Sequence, residues 1–237
     1  MPSEPTLPVS LIAHVKSPFI QKLGVPRQAG LVPSALHEIV FVPQFRNPNF
    51  CRGLETFSHI WVLFWFHDQP WNPETSCIHP PRLGGQAQVG VFACRSPHRP
   101  TPIGLSCCQL VEVKADRLIV SGGDFLDGTP VVDIKPYLPY CDAKPEASEG
   151  WLSQLPVTPA VAISWEETAW AQLQALSSDL ERDKRVICET LALDPRTSVE
   201  RMKTSPHIWK LYLMGYDVHW AMPKLGHVTV CQVLLRG

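Results

Sequence analysis

A chain of 237 residues with 45% hydrophobic and 18% charged side chains has apolar material for a sizeable core, which excludes disorder as its resting state. Its longest apolar run, Ile60 to Phe66, is seven residues, far short of the roughly 18 that a membrane-spanning helix needs. A net charge of −1 argues against a uniformly basic nucleic-acid binder, and the opening MPSEPTLPVS lacks the basic start and apolar stretch of a signal peptide, so a cytoplasmic protein without membrane association is expected.

Up to about residue 143 the chain reads as strands: short runs rich in β-branched and aromatic residues, separated by Pro and Gly. The predicted strands are Ser10 to His14, Glu38 to Phe41, His59 to Phe66, Gln88 to Phe92, Leu105 to Lys114, Arg117 to Ser121 and Val131 to Ile134. Ile60 to Phe66 is apolar at every position, which predicts burial on both faces. No long amphipathic helices alternate with these strands, so a mainly β architecture, a single β-barrel or coiled sheet, is preferred over a doubly wound parallel sheet. Residues 144 to 159, rich in Pro, Ser, Glu and Ala, read as a connector. Beyond it, Ser164 stands as an N-cap ahead of Glu166 and Glu167, with Trp170, Leu173 and Leu176 at helical spacing. A second helix is predicted from Asp179 to Leu193, stopped by Asp194-Pro195. Strands at Trp209 to Leu213, Tyr216 to Met222 and Val228 to Leu235 follow, the last two joined as a hairpin across residues 223 to 226. The expected organisation is a barrel over 9–143 and a small α+β domain over 160–237.

The eight cysteines include no C-x-x-C pair and no histidine at finger-like spacing, so a structural metal site is not expected; reduced, mostly buried thiols are. No glycine-rich phosphate loop and no G-x-S-x-G elbow appears. Charge, by contrast, is unevenly spread. Between Glu74 and Glu112 there is no acidic residue, while Arg82, Arg95 and Arg99 stand there with His79 and His98 beside them, a local field suited to an anion. Cys94 lies four residues before His98, but nothing in that spacing marks a reactive thiolate. In Arg95-Ser96-Pro97-His98-Arg99-Pro100 the prolines stiffen the backbone and hold both arginines before a ligand arrives. In Asp127-Gly128-Thr129-Pro130 a tight turn opens a strand that carries Asp133 and Lys135 on one face.

These segments, GVFACRSPHRPTPIGLS at 90 to 106, PPRLGG at 80 to 85, FSHIWVLFWFH at 57 to 67 and DGTPVVDIKPYLPY at 127 to 140, resemble the TsaA/YaeB-like family, whose characterised bacterial members are tRNA (adenine-N6)-methyltransferases. The resemblance covers about residues 9 to 143; LALDPRTS at 191 to 198 and YDVHW at 216 to 220 are similar to the carboxy-terminal domain of the bacterial branch. The chain departs from the family pattern at Cys94, His98 and Thr101, where Thr, an aromatic residue and Asn are common. The resemblance implies a single β-barrel, a homodimer, and methyl transfer from S-adenosyl-L-methionine to N6 of N6-threonylcarbamoyladenosine beside the tRNA anticodon. Carried over by motif position, it implies cofactor contacts at Pro26, Arg27, Gln28, His67, Asp68, Arg95, Leu105, Asp127, Gly128, Thr129 and Pro130. For a tRNA carrying that anionic adduct, the candidate contacts in these segments are His98, Arg99, Lys135 and Tyr137, with Arg82 as a further cation and Asp133 as the candidate carboxylate to remove the N6 proton. Two other readings stay open: an enzyme of the same fold acting on another nucleobase or a small molecule, and a non-catalytic RNA-binding module using Phe45, Arg46, Phe50 and Arg52.

Overall fold

The computed structural model describes residues 8–70, 72–80, 83, 87–155, 161–201 and 207–236. Six strands close a barrel in the order β1-β2-β7-β6-β3-β8: β1 (Ala13–Lys16), β2 (Leu36–Phe41), β3 (His59–Trp65), β6 (Ile103–Val113), β7 (Arg117–Ser121) and β8 (Pro130–Pro136). A two-stranded ribbon of β4 (Cys77–Ile78) and β5 (Val89–Gly90) stands apart from it. The helical turn α1 (Pro139–Asp142) ends this part of the chain. The expected mainly β barrel is therefore what the residues build, with β7 spanning the predicted range.

Alternation within the strands sets what fills the barrel. Val15, Ile39, Ile60, Val62, Phe64, Cys108, Leu118, Val120 and Val131 point inward and are buried. Gly104 is required by this packing: a Cβ there would stand 2.2 Å from Phe64 Cζ, so the glycine leaves space for the aromatic ring. The expectation that β3 is buried on both faces does not hold. Its burial alternates, with Trp61, Leu63 and Trp65 only half-buried, because a closed barrel has one interior and, among the described residues, only the short turn α1 reaches this outer face, where Asp142 accepts the Trp61 indole N–H.

The second half is a four-stranded sheet in the order β10-β11-β12-β9, with β9 (Ala162–Trp165) parallel to β12 (His227–Leu235) and β10 (Ile208–Leu213) and β11 (Tyr216–Lys224) antiparallel. Helices α2 (Glu167–Leu176) and α3 (Leu180–Ala192) pack on it through Leu173, Ile187 and Leu191, against Val218, Trp220 and Val230; a short α4 (Ser198–Arg201) follows. Each such buried side chain contributes about 1.5–3 kcal/mol. Asp179 caps α3 by accepting from the Arg182 N–H. Ser164 is not the cap of α2: it lies in β9, bonded to His227 Nε2 at 3.0 Å, because ladder pairing with β12 takes residues that local sequence offers to a helix. The β11–β12 turn is Leu225-Gly226, shorter than expected because β11 continues to Lys224.

The two halves share a core. The segment between β1 and β2 sends Phe19, Val32 and Ala35 into the helix-covered sheet; Phe19 bridges to Leu213, and the Met214 N–H donates to the Pro18 carbonyl at 3.0 Å. All eight cysteines are free, yet only Cys51 and Cys108 are buried, since outward positions such as Cys107 on β6 carry the others. Among the described residues no helix is long and apolar enough to cross a membrane.

Candidate functional site

Strand register gathers the segments singled out above at one end of the barrel. Trp65 pairs with Ile103, and Phe64 with Val131, so the chain beyond Trp65, the basic loop before β6 and the turn before β8 all emerge at that end. β1 brings its own end there, because Ala13 pairs with Val131.

The turn is fixed by the backbone. The Asp127 N–H donates to Phe19 O and the Gly128 N–H to Val15 O, both at 2.8 Å, and the Val15 N–H returns a bond to Thr129 O at 2.9 Å. The Asp127 carboxylate accepts the Ser17 N–H at 2.8 Å, and the buried Thr129 hydroxyl donates to Leu126 O at 2.6 Å. Gly128 has φ +79°, the left-handed region, and a Cβ built on it would face His67 Nε2 at 3.9 Å, so His67 and the turn look across a narrow gap. Asp68 is paired with Lys22 at 3.2 Å.

The basic loop is held from outside itself. Arg95 Nη1 donates to Gln28 Oε1 at 2.7 Å, which joins the loop to the Pro26-Arg27-Gln28 segment, where Pro26 is buried and Arg27 exposed. Arg99 Nη1 donates to Cys94 O at 3.2 Å. The indole of Trp151, in the connector, donates to Ala93 O at 2.9 Å. His98 is exposed, and Phe92 beside the loop is 85% exposed.

Asp124 is a site residue that motif reading missed. It follows Gly122-Gly123, and its carboxylate accepts the hydroxyl proton of Ser106, a buried residue on the inner face of β6. Burial holds this carboxyl above the ordinary range, against the opposing pull of the Ser106 hydroxyl, the Arg95 guanidinium and the Ala29 N–H. The two glycines ahead of it were the available signal, since they mark a backbone passing too close to the core for a side chain.

The expected substrate residues are spread along β8. A bulge between Leu63 and Phe64 turns Asp133 to the outer face opposite Leu63, and Lys135 opposite Trp61. Leu105, 54% exposed, also pairs with Leu63, so it flanks Asp133 across β3. Asp133 and Lys135 form an ion pair at 2.8 Å, and Asp133 also accepts the Ile134 N–H. Lys135 and Tyr137 are not brought to the loop end: at about 3.3 Å per residue they lie roughly 16 and 23 Å along the strand from Pro130. Tyr137 packs instead on Trp61, 5.6 Å between ring centres. Arg82 lies outside the described residues.

Elsewhere, Phe45 packs on Phe50 and against the barrel core, and Arg46 donates to Phe41 O at 2.9 Å; of that group Phe45 is half-buried while Arg46, Phe50 and Arg52 are exposed. A cavity of about 460 Å³ between the halves is lined by Lys16, Ser34, His37, Arg182, Asp183 and Tyr216, among others, and by none of the expected contact residues.

The family model of the tRNA-methyltransferase O N-terminal domain matches residues 14–143, and that of the TrmO C-terminal domain matches residues 158–235. The chain belongs to the tRNA-methyltransferase O family. Within it, the chain is 39% identical over 222 residues to the tRNA (adenine(37)-N6)-methyltransferase of Escherichia coli K12, covering 91% of this chain and 93% of that one. It is 38% identical to RcsF of Pseudomonas aeruginosa PAO1, named as a candidate S-adenosylmethionine-dependent methyltransferase, over 95% of this chain and 96% of that one. A crystal structure of TrmO from Pseudomonas aeruginosa superposes with a TM-score of 0.80 at 36% identity, covering 97% of this chain and 100% of that chain. Both the barrel and the appended sheet thus belong to the tRNA-methyltransferase O fold.

Proposed function

We propose that the protein is an S-adenosylmethionine-dependent methyltransferase acting on N6 of N6-threonylcarbamoyladenosine next to the anticodon in tRNA, in the cytoplasm, with 9–143 as the methyltransferase domain and 160–237 as its appendage. The observation that carries this reading is the convergence of the Gln28, His67, Arg95 and Asp127–Pro130 segments at one barrel end, in a chain that matches tRNA (adenine(37)-N6)-methyltransferases along most of its length. A zwitterionic cofactor with a carboxylate, an ammonium and an aromatic base fits this donor set, which offers Arg95, the exposed Asp127 and Asp68, and apolar surface from Leu105 and Phe92. When bound, the cofactor supplies an activated methyl group on a sulfonium.

The residues' task is chiefly orientation, which can supply on the order of 7–11 kcal/mol. Arg99 takes the threonyl carboxylate of the modified base, because a planar guanidinium grips a carboxylate through two bonds. His98 offers a ring for stacking, and Tyr137, just beyond the end of β8, a second one. Asp133 accepts the N6 proton. Lys135 now occupies Asp133, and an RNA phosphate drawing Lys135 away would release the carboxylate for that step. The outer face of β3 and β6 around the half-buried Leu63 and the exposed Leu105 supports pairing of two copies into a homodimer.

Mass spectrometry of tRNA nucleosides after incubation with the cofactor tests the reading. Modified tRNA should gain one methyl group on the threonylcarbamoyl nucleoside, and tRNA lacking the modification should gain none. Equal methylation of both would move the protein to another base, and none on either would leave an RNA-binding module. In the same assay Asp133→Asn should slow turnover by about 10²-fold or more; near-wild-type turnover removes Asp133 from proton transfer.

A further inference from the structure

We propose that the outer face of the β10-β11-β12-β9 sheet is a docking surface for the tRNA strand that leaves the barrel end, with Tyr212 as a stacking platform and Arg236 and Lys210 as phosphate contacts. The inference deepens the tRNA methyltransferase reading above and rests on it.

Register sets the face. Lys210 pairs with His219 and His219 with Gln232; Tyr212 pairs with Asp217 and Asp217 with Leu234. Directly opposed residues point to the same side of a sheet, so these two rows lie away from Leu211, Val218, Trp220 and Val233, which are buried with the helices. All six are exposed or half-buried, whereas every fully buried residue of this sheet lies on the helix side. The motif Tyr-Asp-Val-His-Trp at 216 to 220 divides accordingly: Tyr216, Val218 and Trp220 build the core, and the core takes nothing from Asp217 and His219.

The chemistry of the face suits RNA. The Arg236 guanidinium lies over the Tyr212 ring, 4.8 Å from its centre, and both Arg236 and Lys210 are exposed. Asp217, the one carboxylate in these rows, stands 3.0 Å from His219 Nε2 and is only 15% exposed, so it subtracts little from the cationic margin. A half-buried ring flanked by a guanidinium is how a four-stranded sheet stacks an unpaired base and holds its phosphate. A protein-binding face would centre on apolar anchors, and Asp217 and His219 stand there instead. Main-chain contacts join this face to the candidate site. Leu213, next to Tyr212, bridges to Phe19, whose carbonyl accepts the Asp127 N–H at 2.8 Å. The Met214 N–H donates to Pro18 O at 3.0 Å, and the Arg236 N–H to Gly215 O at 2.9 Å, which places Arg236 at the same end. An RNA whose base enters the barrel end therefore meets Tyr212 and Arg236 with its neighbouring nucleotides.

The experiment measures binding of an unmodified tRNA transcript to the full-length protein by fluorescence anisotropy across a salt series, with hydroxyl-radical footprinting of side chains. Bound tRNA should protect Tyr212 and His219 from oxidation. Tyr212→Thr, a β-branched residue that suits the strand, should weaken binding about tenfold, and Tyr212→Phe, which keeps the ring, by less than about twofold. Arg236→Gln and Lys210→Gln should each weaken it about three- to tenfold and reduce the slope of log affinity against log salt by about one. Arg185→Gln removes an exposed cation from α3, on the opposite side of the sheet, and should leave affinity and slope unchanged. Calorimetric titration of Tyr212→Thr with S-adenosylmethionine should give the wild-type affinity, which separates lost docking from misfolding. Wild-type tRNA affinity in both Tyr212→Thr and Arg236→Gln overturns the proposal alone. So does weaker tRNA binding that tracks dissociation of a dimer in sedimentation, which would make the face a contact between two copies. Failure of the wild-type protein to bind tRNA would instead refute the tRNA reading itself, and this proposal with it.

Discussion

The two halves of the candidate site are built in opposite ways. The Asp127–Pro130 turn is tied down by main-chain bonds to β1 and the residues after it, so its shape depends on the barrel having closed and on little else. The basic loop makes no comparable ladder; it is held by single side-chain bonds, Arg95 to Gln28 and the Trp151 indole to Ala93 O. One half is therefore rigid because the fold is rigid. The other is adjustable, and its cations can be reset without disturbing the core.

If that contrast holds, the turn should be where substitution damages stability most. Gly128→Val places a β-branched residue at φ +79° and aims it at His67, and should cost about 2–3 kcal/mol, read as a fall of roughly 5–10 °C in melting temperature. A wild-type melting curve would show that the turn is pliable after all.

In the loop the effect should move from stability to chemistry. Arg99→Lys cannot keep the Cys94 carbonyl and also present a planar fork, so it should reduce kcat/KM on threonylcarbamoylated tRNA by about tenfold while leaving stability within about 0.5 kcal/mol. Equal losses on binding modified and unmodified tRNA would assign Arg99 to the RNA backbone instead.

How far these differences were legible depends on contact range. β6, β7 and β3 announce themselves through β-branched and aromatic runs, and the hairpin of β11 and β12 through Leu225-Gly226, since each signal is local. The Asp127–Pro130 turn was legible for the same reason. Residues that act across the chain were not. Asp124 lies 18 residues from Ser106, and Trp151 lies 58 from Ala93, so no periodicity links them. Ser164 was misread because its partners are 63 and 65 residues away on β12. Burial of β3 was overstated because composition cannot say whether a strand has one covered face or two; the closure of the barrel decides it.

The smallest effect concerns the connector. Trp151→Phe keeps most of the ring and removes only the indole N–H that holds Ala93 O, a change of about 0.5–1.5 kcal/mol confined to the loop. Global melting should then be unchanged, while trypsin should cut after Arg95 about two- to tenfold faster, because cleavage follows the population of the opened loop. Arg99 serves as an internal control, since Pro100 follows it and blocks that bond to the protease. Unaltered cleavage at Arg95 would mean that Pro97 and Pro100 stiffen the loop unaided. Faster cleavage would make the connector a tether that couples the second half of the chain to the loop that carries Arg95 and Arg99.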